Sequence, residues 1–107
     1  MVLVIGRVRC RLELEQREEL VALLERMQDD SRREEGCLRY GFFAAVEDPL
    51  SFVAVEEWAG REALDRHFAQ PHLQEFARGL AAAVSAPPEV AIHEVAGTQP
   101  FPGRAGS

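Results

Sequence analysis

The sequence predicts an α+β domain, a four-stranded antiparallel sheet with its helices on one face. Three observations predict it. The hydrophobic period alternates between 2 and about 3.6 residues in the order strand, helix, strand, strand, split helix, strand. The link between the two middle strands has the composition of a tight hairpin connection. Glycine or proline stands at each later change of period, at Gly36, Pro49, Gly60, Pro71 and Pro87-Pro88.

Val2 to Leu12 alternates as a strand, with Val2, Val4, Gly6, Val8 and Cys10 on one face and Leu3 and Ile5 on the other, before three arginines. From Glu15 the period lengthens. Leu20, Leu23, Leu24 and Met27 form the stripe of an amphipathic helix, Glu15, Glu18 and Glu19 suit its positive end, and Arg32 and Arg33 suit the other. Gly36 is the expected C-cap. Cys37 to Val46 and Ser51 to Trp58 read as strands that pair antiparallel through Glu47-Asp48-Pro49-Leu50. Ala59-Gly60 opens a short helix carrying Leu64, His67 and Phe68, which ends by Gln70 because a residue before proline is disfavoured in the α region. Pro71 then starts a helix presenting Leu73, Phe76, Ala77, Leu80, Ala81 and Val84, and Pro87-Pro88 closes it before a last strand, Glu89 to Val95. This order is the split βαβ arrangement of ferredoxin-like domains. Residues 1–95 are expected to form the domain and 96–107, rich in Gly and Pro, an extended tail.

At 107 residues the chain holds one hydrophobic core rather than two. Its 12 Lys and Arg against 18 Asp and Glu leave a net charge of -6, which disfavours nucleic acid as a partner. The apolar run after Met1 has no basic residue ahead of it and is too short for a secretory h-region or a membrane span, so a cytoplasmic location is expected. Cys10 and Cys37 lie inside strand patterns without CxxC or CxxH spacing and read as small buried hydrophobes.

Helices joined in this order cover only one face of the sheet, so the other face should be polar. It is not: Leu38, Tyr40, Phe42 and Ala44 oppose Gly41, Phe43 and Ala45, while Phe52 and Ala54 oppose Val53 and Val55. A second copy of the chain is the simplest cover, which predicts a homodimer through the sheet faces. Arg7, Arg9 and Arg39 would then lie at that interface, where Glu57 shares their parity and can pair with one of them.

Few residues carry chemistry. Trp58, the single tryptophan, shares the inward parity of Phe52, Ala54 and Glu56 and reads both as a core anchor and as the wall of a pocket. His67, three residues after Leu64, falls on the buried face of its helix. An imidazole there is either a satisfied core group or a general base neutral at physiological pH. Glu56 is a second catalytic candidate, the alternative being a sheet-edge carboxylate paired with arginine. His72, at the second position of the last helix, either faces the pocket or bonds the backbone at the helix start. A metal site joining His67 and His72 is not expected, because Pro71 interrupts them and no carboxylate or cysteine completes a ligand set in sequence. Phosphate loops, G-x-S-x-G elbows and Walker sequences are missing from the sequence.

The fragments Glu34-Glu35-Gly36-Cys37-Leu38-Arg39-Tyr40, Glu47-Asp48-Pro49, Glu56-Glu57-Trp58, Ala63-Leu64 leading to His67, and Gln70-Pro71-His72 with Phe76 together resemble the antibiotic biosynthesis monooxygenase family. The resemblance covers nearly the whole chain through Val95. It implies a dimeric α/β barrel. Its members include cofactor-independent monooxygenases of quinols and polycyclic phenols, haem-degrading enzymes and an isomerase of a phosphorylated sugar, so the fold leaves the reaction open. The Asn, Trp and His of the haem-degrading branch correspond here to Gly6, His67 and Ala77, which speaks against haem as a substrate. The expectation is an oxygenase of a small quinol or polyphenol that needs no cofactor, with His67 as base, Glu56 or His72 orienting the substrate, and Tyr40, Phe52, Trp58 and Phe76 as an apolar wall. An isomerase of a small carbonyl compound, with Arg39 or Arg78 holding a phosphate, and a non-enzymatic dimeric binding module are the alternatives.

Overall fold

The computed structural model describes residues 1–11 and 13–103. Leu12, expected to close the first strand, and the last four residues of the tail lie outside them. Four strands, β1 (Val2–Arg9), β2 (Cys37–Ala44), β3 (Ser51–Trp58) and β4 (Glu89–Glu94), form one antiparallel sheet in the order β2-β3-β1-β4. The helices are α1 (Arg17–Arg32), entered through a 3₁₀ turn at Leu14–Gln16, α2 (Arg61–Phe68) and α3 (Pro71–Ala81). The expected ferredoxin-like βαββαβ order is the observed one.

Local chemistry sets the boundaries. Asp48 shapes the hairpin between β2 and β3 by accepting from Leu50 N–H at 3.0 Å and from the Ser51 hydroxyl at 2.7 Å. Those bonds hold its carboxyl below the usual range. Gly36, at φ 87°, turns the chain from α1 into β2. Pro71 occupies the start of α3. That helix stops at Ala81, ahead of the two prolines, because the next residues turn back to bridge Cys10 through Val84.

One expected register fails. A bulge between Cys37 and Arg39 leaves Leu38 without a partner on β3, so Cys37, not Leu38, shares the inner face with Tyr40. Leu38 is 55% exposed on the outer face as a result.

Two apolar clusters lie between the sheet and the helices. Val2, Val4, Met27, Tyr40, Trp58, Ala63 and Leu64 form one, and Cys10, Leu20, Leu24, Phe52, Leu80 and Ala83 the other. Complete burial of a side chain such as Leu64, 0% exposed, contributes roughly 1.5–3 kcal/mol. α1 also closes the free edge of β2: Gln28 Oε1 accepts from Phe42 N–H at 2.7 Å, and Arg32 Nε donates to Tyr40 O at 2.8 Å. α3 lies against α1 rather than over β4. Both faces of β4 therefore stay exposed, including Val90 and Ile92 on the helix side. The space between α3 and the β1–β4 half of the sheet is a cavity.

On the outer face Arg39 pairs with Glu57 at 3.7 Å, as their parity predicts. Arg9 instead reaches Asp48 at 3.5 Å. Phe43 is 60% exposed on this face.

Candidate active site

The cavity has a volume of about 660 Å³, within the range of small-molecule sites. Val8, Phe42, Phe76, Leu80 and Val90 are among its apolar walls, and Tyr40, Glu56 and His67 also line it.

Two of its polar groups come from elements whose period buries them. Glu56 points inward from β3 between Ala54 and Trp58 and is only 8% exposed. The Trp58 indole N–H donates to Glu56 Oε1 at 3.0 Å. His67 sits one turn after Leu64 on the buried side of α2, 1% exposed, its ring tilted on Trp58 at 4.5 Å between centroids and edge-on to Tyr40 at 5.6 Å. Its Nδ1 is 2.8 Å from Glu34 Oε2. Glu34 belongs to the turn after α1, where its own N–H bonds Ser31 O at 3.0 Å. Gly36 lets that turn press on α2, for a Cβ there would stand 2.5 Å from Ala63 Cβ.

This network assigns the imidazole tautomer. Glu34 has only acceptor oxygens when ionised, so Nδ1 carries the proton and donates. Nε2 is left with a lone pair and lies 3.9 Å from Glu56 Oε1. That gap is too long for a hydrogen bond, yet an oxygen at about 2.8 Å from both groups fits between them. Burial pushes the Glu56 carboxyl up to about 7, assisted by the charge of Glu34 and opposed by the bonds from Trp58 and Tyr40. Burial lowers His67, against the pull of Glu34. At neutral pH the site thus holds a neutral imidazole beside a carboxyl that is protonated in about half the molecules. Burial also lifts the Tyr40 hydroxyl far above its usual range and the Cys37 thiol to about 11, so both stay protonated.

Of the residues expected at the site, His67, Glu56, Tyr40 and Phe76 line one cavity. Glu56 pairs with Trp58 and not with an arginine. Trp58, Phe52 and His72 do not line it. Trp58 is fully buried behind Glu56 and His67, covered by α2, and reaches the site only through its N–H. Phe52 lies at the other end of β3, four residues or about 13 Å along the strand from Glu56, packed with Leu20 and Leu24 and with the Arg17 guanidinium 5.5 Å over its ring. His72 turns toward α1, where its Nε2 lies 2.9 Å from Glu34 Oε2 without the alignment of a hydrogen bond. It takes neither the cavity position nor the backbone bond expected of it.

Glu34 is the residue that the sequence reading missed. Its position two residues before the helix-ending Gly36 was the available signal, because a left-handed turn there folds the chain back onto its neighbours. The absence of a carboxylate beside His67 and His72 is likewise corrected, since Glu34 supplies one.

Fold and site together define a small α+β domain with an apolar cavity lined in part by a histidine and a carboxylate. The antibiotic biosynthesis monooxygenase family model matches residues 1–79, and the chain belongs to that family. The chain is 34% identical to "Uncharacterized protein sll1783" of Synechocystis over 89 residues, 83% of this chain and 60% of that protein. It thus spans about 60% of that relative's length. It is 31% identical over 85 residues to "Putative monooxygenase YcnE" of Bacillus subtilis, covering 79% of this chain and 90% of that one. Among solved structures, a crystal structure of an antibiotic biosynthesis monooxygenase matches at 28% identity and TM-score 0.81, with 91% of this chain and all of that chain covered. SnoaB of Streptomyces nogalater, a cofactor-independent oxygenase, shares the fold at 22% identity and TM-score 0.80, over 94% and 97% of the two chains. No helix among the described residues is long and apolar enough to cross a membrane.

Proposed function

We propose that the protein oxygenates a small quinol or polyphenol with O₂, without metal or flavin, in the cavity behind β1 and β4. The observation that carries this reading is the unpaired Nε2 of His67, placed beside Glu56 in a largely apolar space. A phenolic hydroxyl between the two groups loses its proton to Nε2, and Glu34 stabilises the imidazolium through Nδ1. The phenolate gives one electron to O₂, and the resulting radical and superoxide combine at a ring C–H carbon. The proton from His67 completes a hydroperoxide on that carbon. Loss of water then leaves a ring carbonyl, so one oxygen atom enters the product, the other leaves as water, and the substrate supplies all four electrons. The Glu56 carboxyl, when protonated, donates a hydrogen bond to the substrate oxygen. The family and the relative named as a monooxygenase support this reaction class.

The isomerase reading needs a cation for phosphate: neither Arg39 nor Arg78 is in the cavity lining, and the arginine that is, Arg11, is solvent-exposed. Arg39 is engaged with Glu57 on the outer face. That face, with Phe43 and Leu38 exposed, is proposed to be covered by a second copy in a cytoplasmic homodimer.

Oxygen uptake by metal-stripped protein with a panel of quinols tests the proposal. His67→Ala is expected to lower the rate by roughly two to four powers of ten. Uptake by the variant equal to the wild type removes His67 from the chemistry. No uptake on any substrate, with tight binding retained, leaves the binding module.

A further inference from the structure

His67 presents its two ring nitrogens to two different places. Nε2 faces the cavity. Nδ1 faces away from it, into a cluster where Glu34, His67 and His72 each offer one ligand atom, all within 4.8 Å of one another. The three come from three segments that the fold brings together: the turn after α1, the last turn of α2 and the first turn of α3.

We propose that Glu34, His67 and His72 bind one divalent transition-metal ion. The donor set, two imidazoles and a carboxylate, is the one that zinc, ferrous iron, cobalt and nickel share. The distances are those of a closed, metal-free cluster, with Glu34 Oε2 2.8 Å from His67 Nδ1 and 2.9 Å from His72 Nε2. Ligands about 2.0–2.2 Å from one ion stand roughly 3–3.5 Å apart, so Glu34 needs only a small retreat from each imidazole, while the two imidazole nitrogens already lie within 4.8 Å of one another.

His72 supplies an independent argument. Its Nε2 is buried, directed at Glu34, and has no hydrogen-bond partner among the described residues. A buried nitrogen in that condition is costly, and coordination would satisfy it. Beside it lies a shallow cleft of about 220 Å³ bordered by Met27, Asp30 and Glu75, with room for water ligands and carboxylates to favour a cation. Cys37 lies near Glu34 but is not among the three donors.

The ion would not touch a substrate in the large cavity, since His67 stands between them. Its effect passes through the imidazole. A neutral imidazole bound to metal at Nδ1 keeps its one proton on Nε2, which then donates and no longer accepts. Occupation of the site would therefore switch off the base, a consequence that rests on the proposed function, whereas the binding does not.

The test is calorimetric titration of chelator-treated protein with Zn²⁺, beside visible absorption of the Co²⁺ form. The expected result is one ion per chain and Co²⁺ ligand-field bands without a thiolate charge-transfer band. His72→Ala and Glu34→Gln, checked for folding by circular dichroism, are each expected to weaken Zn²⁺ at least about tenfold. No Zn²⁺ uptake, a thiolate band, or affinity unchanged in both variants overturns the site. If Zn²⁺ binds with the expected dependence but oxygen uptake persists at saturation, the site stands and the base assignment for His67 falls.

Discussion

Gly36→Ala is expected to be strongly destabilising, and the structure gives its size. The residue sits at φ 87°, where an L side chain costs about 1–2 kcal/mol. The added methyl would stand 2.5 Å from Ala63 Cβ, itself buried at 4% exposure in the first apolar cluster. Overpacking of that kind adds typically 1–3 kcal/mol. The total, about 2–5 kcal/mol, is a large part of the 5–15 kcal/mol that holds an ordinary domain folded. Gly60→Ala is the control, because its backbone is extended at φ -168° and no atom lies within 4 Å of the added Cβ. Urea denaturation of both variants reads the difference. Ala63→Gly in the Gly36→Ala background should recover the steric part and leave the dihedral part, a coupling of about 1–3 kcal/mol in a double-mutant cycle. Equal costs at the two glycines, or no recovery, would refute the close packing of this turn on α2 that places Glu34 against His67.

Other perturbations address the site and the outer face. Glu56 has its folded carboxyl raised to about 7, so the folded state holds a proton that the unfolded chain releases near 4.5. Its contribution is fully present at low pH and is lost as pH rises toward 7 and beyond. Glu56→Gln is accordingly expected to stabilise the protein at pH 8 by up to about 3 kcal/mol and to change little at pH 4, which urea melts at the two values will show. His67 runs the other way: burial lowers it, so protonation below about 6.5 is easier in the unfolded chain and stability falls with acid, a slope that His67→Gln should flatten. Phe43→Glu puts a charge in the middle of the exposed apolar face and is expected to halve the mass seen by light scattering, with the monomer's circular dichroism unchanged. A wild type that is already monomeric removes the homodimer.

What the sequence disclosed was whatever a period can carry. β3 reads as a strand over the residues that form it, because Phe52, Ala54, Glu56 and Trp58 all fall inward. His67 lies inward for the same reason on α2. Parity says which face a residue takes but not how far along the face it sits. Phe52 and Trp58 share a face and belong to different clusters, and only one of them is near the site. A period is also blind to insertions. The bulge at Leu38 shifts one residue and sends a side chain to the opposite face, with no Gly or Pro to announce it. Glu34 was hidden for a third reason, since it lies in a turn with no period, and only the packing of that turn on α2 brings it 33 positions along the chain to His67.

The site gathers two costly polar groups in one place. Glu56 and His67 are polar groups that burial penalises, and each is only partly compensated: Glu56 accepts from the Trp58 indole N–H and from Tyr40, and His67 gives one N–H to Glu34. A fold selected for stability alone would fill their positions with apolar side chains, as a swap of such groups for hydrophobes is often neutral or stabilising. It would also close the gap beneath α3, where Val90 and Ile92 are left uncovered beside the cavity. Two partly compensated titratable groups and one unfilled apolar space, meeting at the same point, are each costly to folding. Their coincidence is what a site for an apolar molecule with an acidic proton requires, and it favours the inner face of β1 and β3 for the proposed function over the outer face, where the ionisable Arg39 and Glu57 are engaged with each other.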